Sequence, residues 1–452
     1  MKMNLNISYI NNKGFLGLLV CTMLLMGSFK AKAQEVITLQ KAVDRTLERN
    51  LTIKNAQLNE ALDVENYNQA KNNRLPNLMA NPQATLNFGR GLDVSSYQYV
   101  NQRVFGINGG ISSQVSLYQG GLLKNQILQN KLQLDVDKSS TAKVKNDLVL
   151  NVITTYLSVL SNQDLLTAAT QQVDISKQTL DRAQKTFDVG NGTLADLSQA
   201  KATVSTSELN QTTAQNQLDI SILTLKQYME MDPKTAITVE KPDVSKLTDV
   251  KSVFDAQTVF ESSVIVNPDV RLAELQKQTA FQGTKVARSY YYPTVSLQGS
   301  LGSYYSDANR LALFGDQLSN NFTQGLALGV QIPIFGRFAT RTNVRKANIN
   351  YQIADVNAQI AKNNLNKTIN QAVLDVRAAE KKYQSAKQTY QSNKDSYDVV
   401  QQRYNVGLIN SLDYNTSLTT LNKSEFDMIQ AKYELIFRSK IIDYYLGNPI
   451  TL

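Results

Sequence analysis

The chain of 452 residues contains no histidine, and its single cysteine, Cys21, lies in an apolar N-terminal run. The commonest general base, the thiol nucleophile and the usual zinc, copper and haem ligands are therefore missing from the rest of the chain. Carboxylates remain, and two stand out by their setting. Asp196 closes TFDVGNGTLADL and Asp413 sits in RYNVGLINSLDY, 217 positions later. Each follows a glycine turn and lies three residues after Thr193 or Asn410, at the start of a helical run. That spacing fits a capping motif with an acid at the positive end of a helix. Copies of such a carboxylate brought together would instead form an acid ring that selects cations by field strength. Both readings stand on the residues alone. Neither is catalysis, so no enzyme, no cofactor and no metal site is expected. Met79, Met229, Met231 and Met428, without histidine, are too few for a soft-metal relay.

The elements that carry these aspartates are themselves duplicated. At the same offset Asn50 meets Asn267, Pro76 meets Pro293, Gly190 meets Gly407 and Tyr228 meets Tyr445. Each half holds a long stretch with neither Gly nor Pro, 68 residues between Gly121 and Gly190 and 70 between Gly336 and Gly407. As continuous helix each would run roughly 100 Å. A heptad seam runs along both: Val152, Val159, Leu166, Val173, Leu180 and Phe187, then Ile369, Val376, Tyr383, Tyr390, Tyr397 and Tyr404. Beyond the turns the returning helices repeat it, with Leu197, Val204, Gln211, Leu218 and Leu225 in the first half. Tyr414, Leu421, Met428, Leu435 and Ile442 match them in the second. Helix must pack on helix in coiled-coil fashion, with Gln211 either fixing register or marking a wet stretch. A structural stalk shares this signature.

Four alternating stretches separate the helices, at 77–92, 107–118, 293–305 and 322–335, and Arg90 is their only charge. Apolar residues such as Leu297 and Leu328 alternate with Gln298, Ser300 and other small polar residues. Tyr118, Tyr290, Tyr291, Tyr292, Tyr304 and Tyr305 cluster near their ends, as interfacial belts do. Each stretch exceeds the roughly 9 to 11 residues of a transmembrane strand. Four strands cannot close a barrel, and open edges in lipid leave backbone groups unpaired, so several chains must pool their strands. A soluble sheet with one wet face is the competing reading.

Lys2 and Lys13, the apolar run Phe15–Met26 and Ala31-Lys32-Ala33 read as a cleaved secretory signal over 1–33. Its four lysines leave with it, so a formal charge of +9 falls to 43 basic against 38 acidic residues, a net of +5. That is too mild for nucleic-acid binding.

The set ITLQKAVDRTLERN, RLPNL, YYPTVSL, VSLYQGG, IPIFGR and the paired VGxxxxxD turns resembles the TolC-type outer-membrane efflux protein family across the whole chain after residue 33. The resemblance implies an α+β membrane protein. A homotrimer pools four strands per chain into a transmembrane β-barrel joined to a long α-helical coiled-coil barrel. It implies a first repeat at 34–235, an inter-repeat linker at 236–254 and a second repeat at 255–452. The expected function is the passive, gated exit duct of a tripartite efflux pump, in the outer membrane with a long periplasmic extension. Its expected partners are outer-membrane lipid, a periplasmic adaptor (membrane fusion) protein and an inner-membrane transporter of RND or ABC type. The alternatives are the exit duct of a type I protein secretion system and, from another class, a trimeric surface stalk or adhesin. The resemblance places a periplasmic gate at Asp196, Asp413 and Tyr404. The hairpin tips Gly190, Gly192, Gly407, Leu408 and Ile409 are the turns and the expected adaptor-docking surface. Packing of Leu408 and Ile409 within the bundle is the alternative. The chain departs from family members at Ile409, where an arginine can latch the gate, and at Thr416, where a second acid ring can occur.

Overall fold

A computed structural model describes residues 35–93, 97–241, 254–309 and 312–448. The expected signal at 1–33 and most of the expected linker lie outside these residues. The described residues form two compact units, 35–45 with 152–241 and 46–151 with 254–448.

The helices recur at one displacement. Helices α1 (Leu39–Arg49), α2 (Leu51–Asn72), α3 (Leu122–Asp188) and α4 (Leu194–Tyr228) reappear as α5 (Ala256–Val266), α6 (Pro268–Ser289), α8 (Ala339–Asn405) and α9 (Ser411–Tyr445). Their starts move from 39 to 256, 51 to 268, 122 to 339 and 194 to 411, 217 positions each time. Local chemistry sets the same boundaries twice. Asn50 caps α2 through Thr52 N–H, and Asn267 caps α6 through Asp269 and Val270 N–H, with Pro268 at the first turn where its missing donor costs nothing.

In the first unit α3 pairs with α4 along the heptad seam. Val152, Val159, Val173, Leu197, Leu218 and Leu225 are buried. Gln211, the polar break in that seam, donates from Nε2 to Thr170 Oγ1 at 3.1 Å, so the break is met by a cross-helix hydrogen bond. A buried Ser176–Ser207 hydroxyl pair at 2.8 Å adds a second. The same unit holds a two-stranded parallel sheet that the sequence did not announce, β1 (Glu35–Ile37) beside β5 (Ile237–Val239). The buried Tyr156 of α3 ties it down, donating to Glu240 O at 2.7 Å, with Ile37 O at 3.2 Å. Burial there pushes the Tyr156 phenol well above its ordinary pKa.

In the second unit α8 and α9 enclose Leu365, Ile369, Val373, Val376 and Ile442 together with Val259 of α5 and Val270 of α6. Lys277 of α6 pairs with Asp355 of α8 at 2.8 Å, and Lys143 of α3 with Asp269 of α6 at 2.5 Å. The remaining strands form one antiparallel sheet: β2 (Met79–Ala80), β3 (Gln83–Asp93), β4 (Gln98–Gln119), β6 (Thr294–Ser306) and β7 (Thr323–Gln331). β2 and β3 both pair with β4, β4 pairs with β6, and β6 with β7. Helix α7 (Phe314–Asn320) lies between β6 and β7.

The strands differ from the expected stretches in three places. The first is broken at 81–82, where Pro82 lacks the donor a ladder needs. The second starts at 98 rather than 107, so most of the interval between the first two expected stretches belongs to a β3–β4 ribbon that projects past the end of β6. Asn101 and Arg103 interrupt its apolar alternation and hid it. The last strand ends at Gln331, four residues before the expected end.

Candidate functional site

The register sorts the sheet into two faces. Leu86 and Phe88 of β3, Ile107, Ile111 and Val115 of β4, Val295, Leu297 and Leu301 of β6, and Leu326, Leu328 and Val330 of β7 fall on one face. The other carries Gln83, Thr85, Asn108, Ser112, Gln114, Ser296, Gln298, Ser300, Gly325 and Gln331. On β7 every residue is exposed, including Leu326, Leu328 and Val330. A large apolar face left open is what a lipid contact requires. A bulge between Ser116 and Tyr118 shifts the β4–β6 register where the sheet approaches the helices.

Both outer strands, β3 with β2 and β7, lack a second neighbour within the described chain. Each edge is continuous with a helix bearing an exposed apolar stripe. α2, ahead of β2, exposes Leu51, Leu58 and Leu62, and α8, after β7, exposes Ile349, Ile353, Val356 and Ile360. Those spacings lie along one side of each helix. Among the described residues no helix is long and apolar enough to cross a membrane.

Each long helical pair ends in a tight turn with one left-handed glycine, Gly190 (φ 78°) in the first unit and Gly407 (φ 79°) in the second. At the first tip, Thr193 caps α4 by accepting from Asp196 N–H at 3.1 Å, while its hydroxyl donates to the Asp196 carboxylate at 2.5 Å. Gly192 is squeezed, since a Cβ there would lie 3.0 Å from Phe187 N. At the second tip, Asn410 accepts from Asp413 N–H at 2.8 Å. The caps are thus Thr193 and Asn410. Asp413 supplies a backbone donor and keeps an exposed carboxylate.

Tyr404 stacks on Tyr414 with ring centroids 4.5 Å apart, inside its own hairpin. Tyr414 also shares a buried 2.9 Å hydroxyl contact with Tyr397. Burial first, and that contact next, push the Tyr397 phenol far above its ordinary pKa. Leu408 is 74% exposed, whereas Ile409 is half-buried. Val406 and Leu412 extend the exposed apolar tip, and Val189 and Leu194 do the same on the first. Sequence reasoning overlooked these four, although their place beside the turn glycines marked them. The Thr416 hydroxyl donates back to Leu412 O at 2.8 Å. No group of three or more His, Cys, Asp or Glu able to hold a metal occurs among the described residues.

Comparison with known proteins gives this geometry a family. The family model described as outer membrane efflux protein matches twice, over 42–229 and 261–448. Toxin and drug export protein A of Aggregatibacter actinomycetemcomitans is 23% identical over 65% of this chain and 62% of its own length. Outer membrane protein TolC of Escherichia coli (strain K12) is 26% identical over 45% of this chain and 42% of its own. The chain thus matches less than two thirds of the length of these two relatives. A membrane protein crystal structure from Pseudomonas aeruginosa shares the fold at a TM-score of 0.77, with 17% identity, covering 90% of this chain and 93% of that one. With its family model matched across most of its length in both halves, the chain belongs to the outer membrane efflux protein family.

Proposed function

We propose that this chain is one protomer of a passive, gated exit duct of a tripartite efflux pump, lodged in the outer membrane with its helices extending into the periplasm. Three copies pool four strands each into a barrel, and the repeats 34–235 and 255–452 each contribute one helical hairpin to the closure. The observation that carries the reading is the open sheet. Its apolar face and its two unpaired edges demand lipid and further strands, and each edge leads into a helix with an exposed apolar stripe. Placing β7 of one copy beside β2 and β3 of the next would satisfy the edges and bring the α8 stripe to the α2 stripe.

In this reading Asp196 and Asp413 line the periplasmic constriction and the Tyr404–Tyr414 stack stiffens the second hairpin. Gly190, Gly192 and Gly407 permit the reversals, and Leu408 with Ile409 belongs to the surface that meets a periplasmic adaptor. The adaptor in turn joins an inner-membrane transporter of RND or ABC type, which supplies the free energy. A polypeptide cargo is the second reading, favoured by a relative named for both toxin and drug export.

The test is single-channel current, with its reversal potential in a salt gradient, from the oligomer extracted intact from membranes. A small cation-selective current is expected, and Asp196→Asn with Asp413→Asn should move the reversal potential toward zero. An intact oligomer that passes no current even after Tyr404→Ala would make a stalk the better account.

A further inference from the structure

The strand ends that lead to the long helices lie at one end of the sheet. Gln119, Thr294 and Gln331 lie in one row, and Asn77, just ahead of β2, bonds to Gln114 of β4. That end is free of acid. Residues 66–92, 94–134, 275–306 and 317–354, which cover nearly all of the sheet and the adjoining helix ends, contain no Asp or Glu. At the chain-wide frequency about a dozen would fall there; the same windows hold 13 Lys and Arg. Besides Lys71, whose ammonium lies 3.8 Å from the centre of the Tyr67 ring, six of these, Arg74, Lys124, Lys285, Arg288, Arg337 and Arg341, lie within ten residues of the strand ends that lead to the long helices. All six are exposed, and none is in an ion pair among the described residues. Farther along the same helices the pattern reverses, for Lys143, Lys277 and Lys382 are each paired with an acid. Beside the cations stand Tyr290, Tyr291 and Tyr292, each about half exposed.

We propose that this end of the sheet bears an electropositive collar that binds the headgroups of anionic phospholipids. The inference rests on the sheet being a membrane barrel, as proposed above. A sheet crossing a bilayer with its apolar face outward sets its helical end at headgroup depth, where tyrosines favour the interface. Arginine forks match phosphate oxygens in pairs, and each cation near a charged leaflet adds attraction. Acids at that level would repel the same groups, which accounts for their exclusion. Neutral polar side chains would serve solubility as well, so only an anionic partner explains cations at all four sheet-to-helix junctions.

The experiment reconstitutes the oligomer of the full chain in phosphatidylcholine vesicles with trace spin-labelled phosphatidylglycerol or spin-labelled phosphatidylcholine. The motionally restricted fraction of each label is compared. Phosphatidylglycerol should be preferred by roughly fivefold or more, the contribution of one surface cation, and the preference should vanish near about 1 M salt. Replacing Lys124, Arg288, Arg337 and Arg341 each with Gln should bring the ratio close to one, while Arg90→Gln, at the opposite end of the sheet, should leave it intact. Inorganic phosphate added at constant ionic strength should not change it; abolition by phosphate would overturn the proposal in favour of a small-anion site. Equal restriction of the two lipids, or a ratio unmoved by the fourfold change, overturns the collar and leaves the barrel standing. Restriction of neither lipid overturns the barrel, and the collar with it. Should the fourfold variant not assemble, the wild-type ratio and its salt titration decide the matter alone.

Discussion

Asp196 and Asp413 occupy the same position of the same motif yet differ in what they touch. The Thr193 hydroxyl engages one carboxylate at 2.5 Å, while the other is exposed at a tip capped by Asn410. Capping therefore survives Asp→Asn at either site, because the acceptors belong to Thr193 and Asn410. A tyrosine cluster, Tyr397, Tyr404 and Tyr414, packs beside the second tip. Tyr414→Phe should cost about 1 kcal/mol by removing one hydroxyl pair, read as lost amide-exchange protection around 397–414. Adding Tyr397→Phe should cost less than the sum of the two single changes, since they share that bond and only the 3.3 Å bond from Gln401 Nε2 is lost in addition. Another residue-scale feature sets a pH dependence. Asp137 on α3 faces Asp63 on α2, with Glu60 near. Burial, then the bond to Asp63, then the charges of Asp63 and Glu60 raise its pKa from an ordinary 3.8 to about 6. Asp63 Oδ2, buried without another partner, needs that proton. The folded chain thus holds a proton more tightly than the unfolded one. Its stabilising contribution is complete below about pH 4 and is lost as pH rises through about 6. Asp137→Asn should raise the melting temperature at pH 7 to 8 and change it little at pH 4, which thermal melts across that range would check.

At the scale of elements, the helices were legible because a seven-residue apolar period over nine turns or more admits no other structure, and breakers stand only at the ends. The expected stretches between glycines and the observed α3 and α8 agree to within three residues at each end. The β3–β4 ribbon was not legible, because Asn101 and Arg103 sit on the face that elsewhere is apolar. The strand-to-helix returns show the two repeats diverging under one backbone. Gly120 and Gly121 are left-handed (φ 60° and 80°), and so are their counterparts Arg337 and Phe338 (φ 51° and 60°). Only the first return is crowded: a Cβ on Gly120 would lie 2.5 Å from Tyr292 Cβ and 2.7 Å from Ser289 O. Gly120→Ala should therefore destabilise by about 3 kcal/mol, from overpacking plus a left-handed Cβ. Arg337→Ala, which keeps the same backbone demand, should be nearly neutral. Heat resistance of the extracted oligomer would separate them, and equal losses would mean that crowding at Gly120 is relieved by movement.

For the whole molecule the decisive quantity is which side of the sheet each residue faces. Leu328 lies opposite Leu297 on the apolar face, and Gln298 opposite Ala327 and Gln114 on the other. Leu328→Lys should cost roughly 2 to 4 kcal/mol at mid-membrane depth and sharply reduce the membrane-assembled oligomer. Gln298→Lys should assemble near wild-type yield, and equal tolerance of both would argue against a lipid-facing sheet. Sequence alone determined the duplication, the two long helical pairs, the alternating strands and the family likeness, because periodicity and breaker placement are local properties of the chain. Only the tertiary structure decided that β4 lies between β3 and β6, that β5 joins β1, and that Gln211 meets Thr170. It alone gathered the six collar cations, drawn from four separate stretches of chain, at one end of one sheet. Those outcomes depend on pairings between residues tens to hundreds of positions apart, which no local pattern encodes.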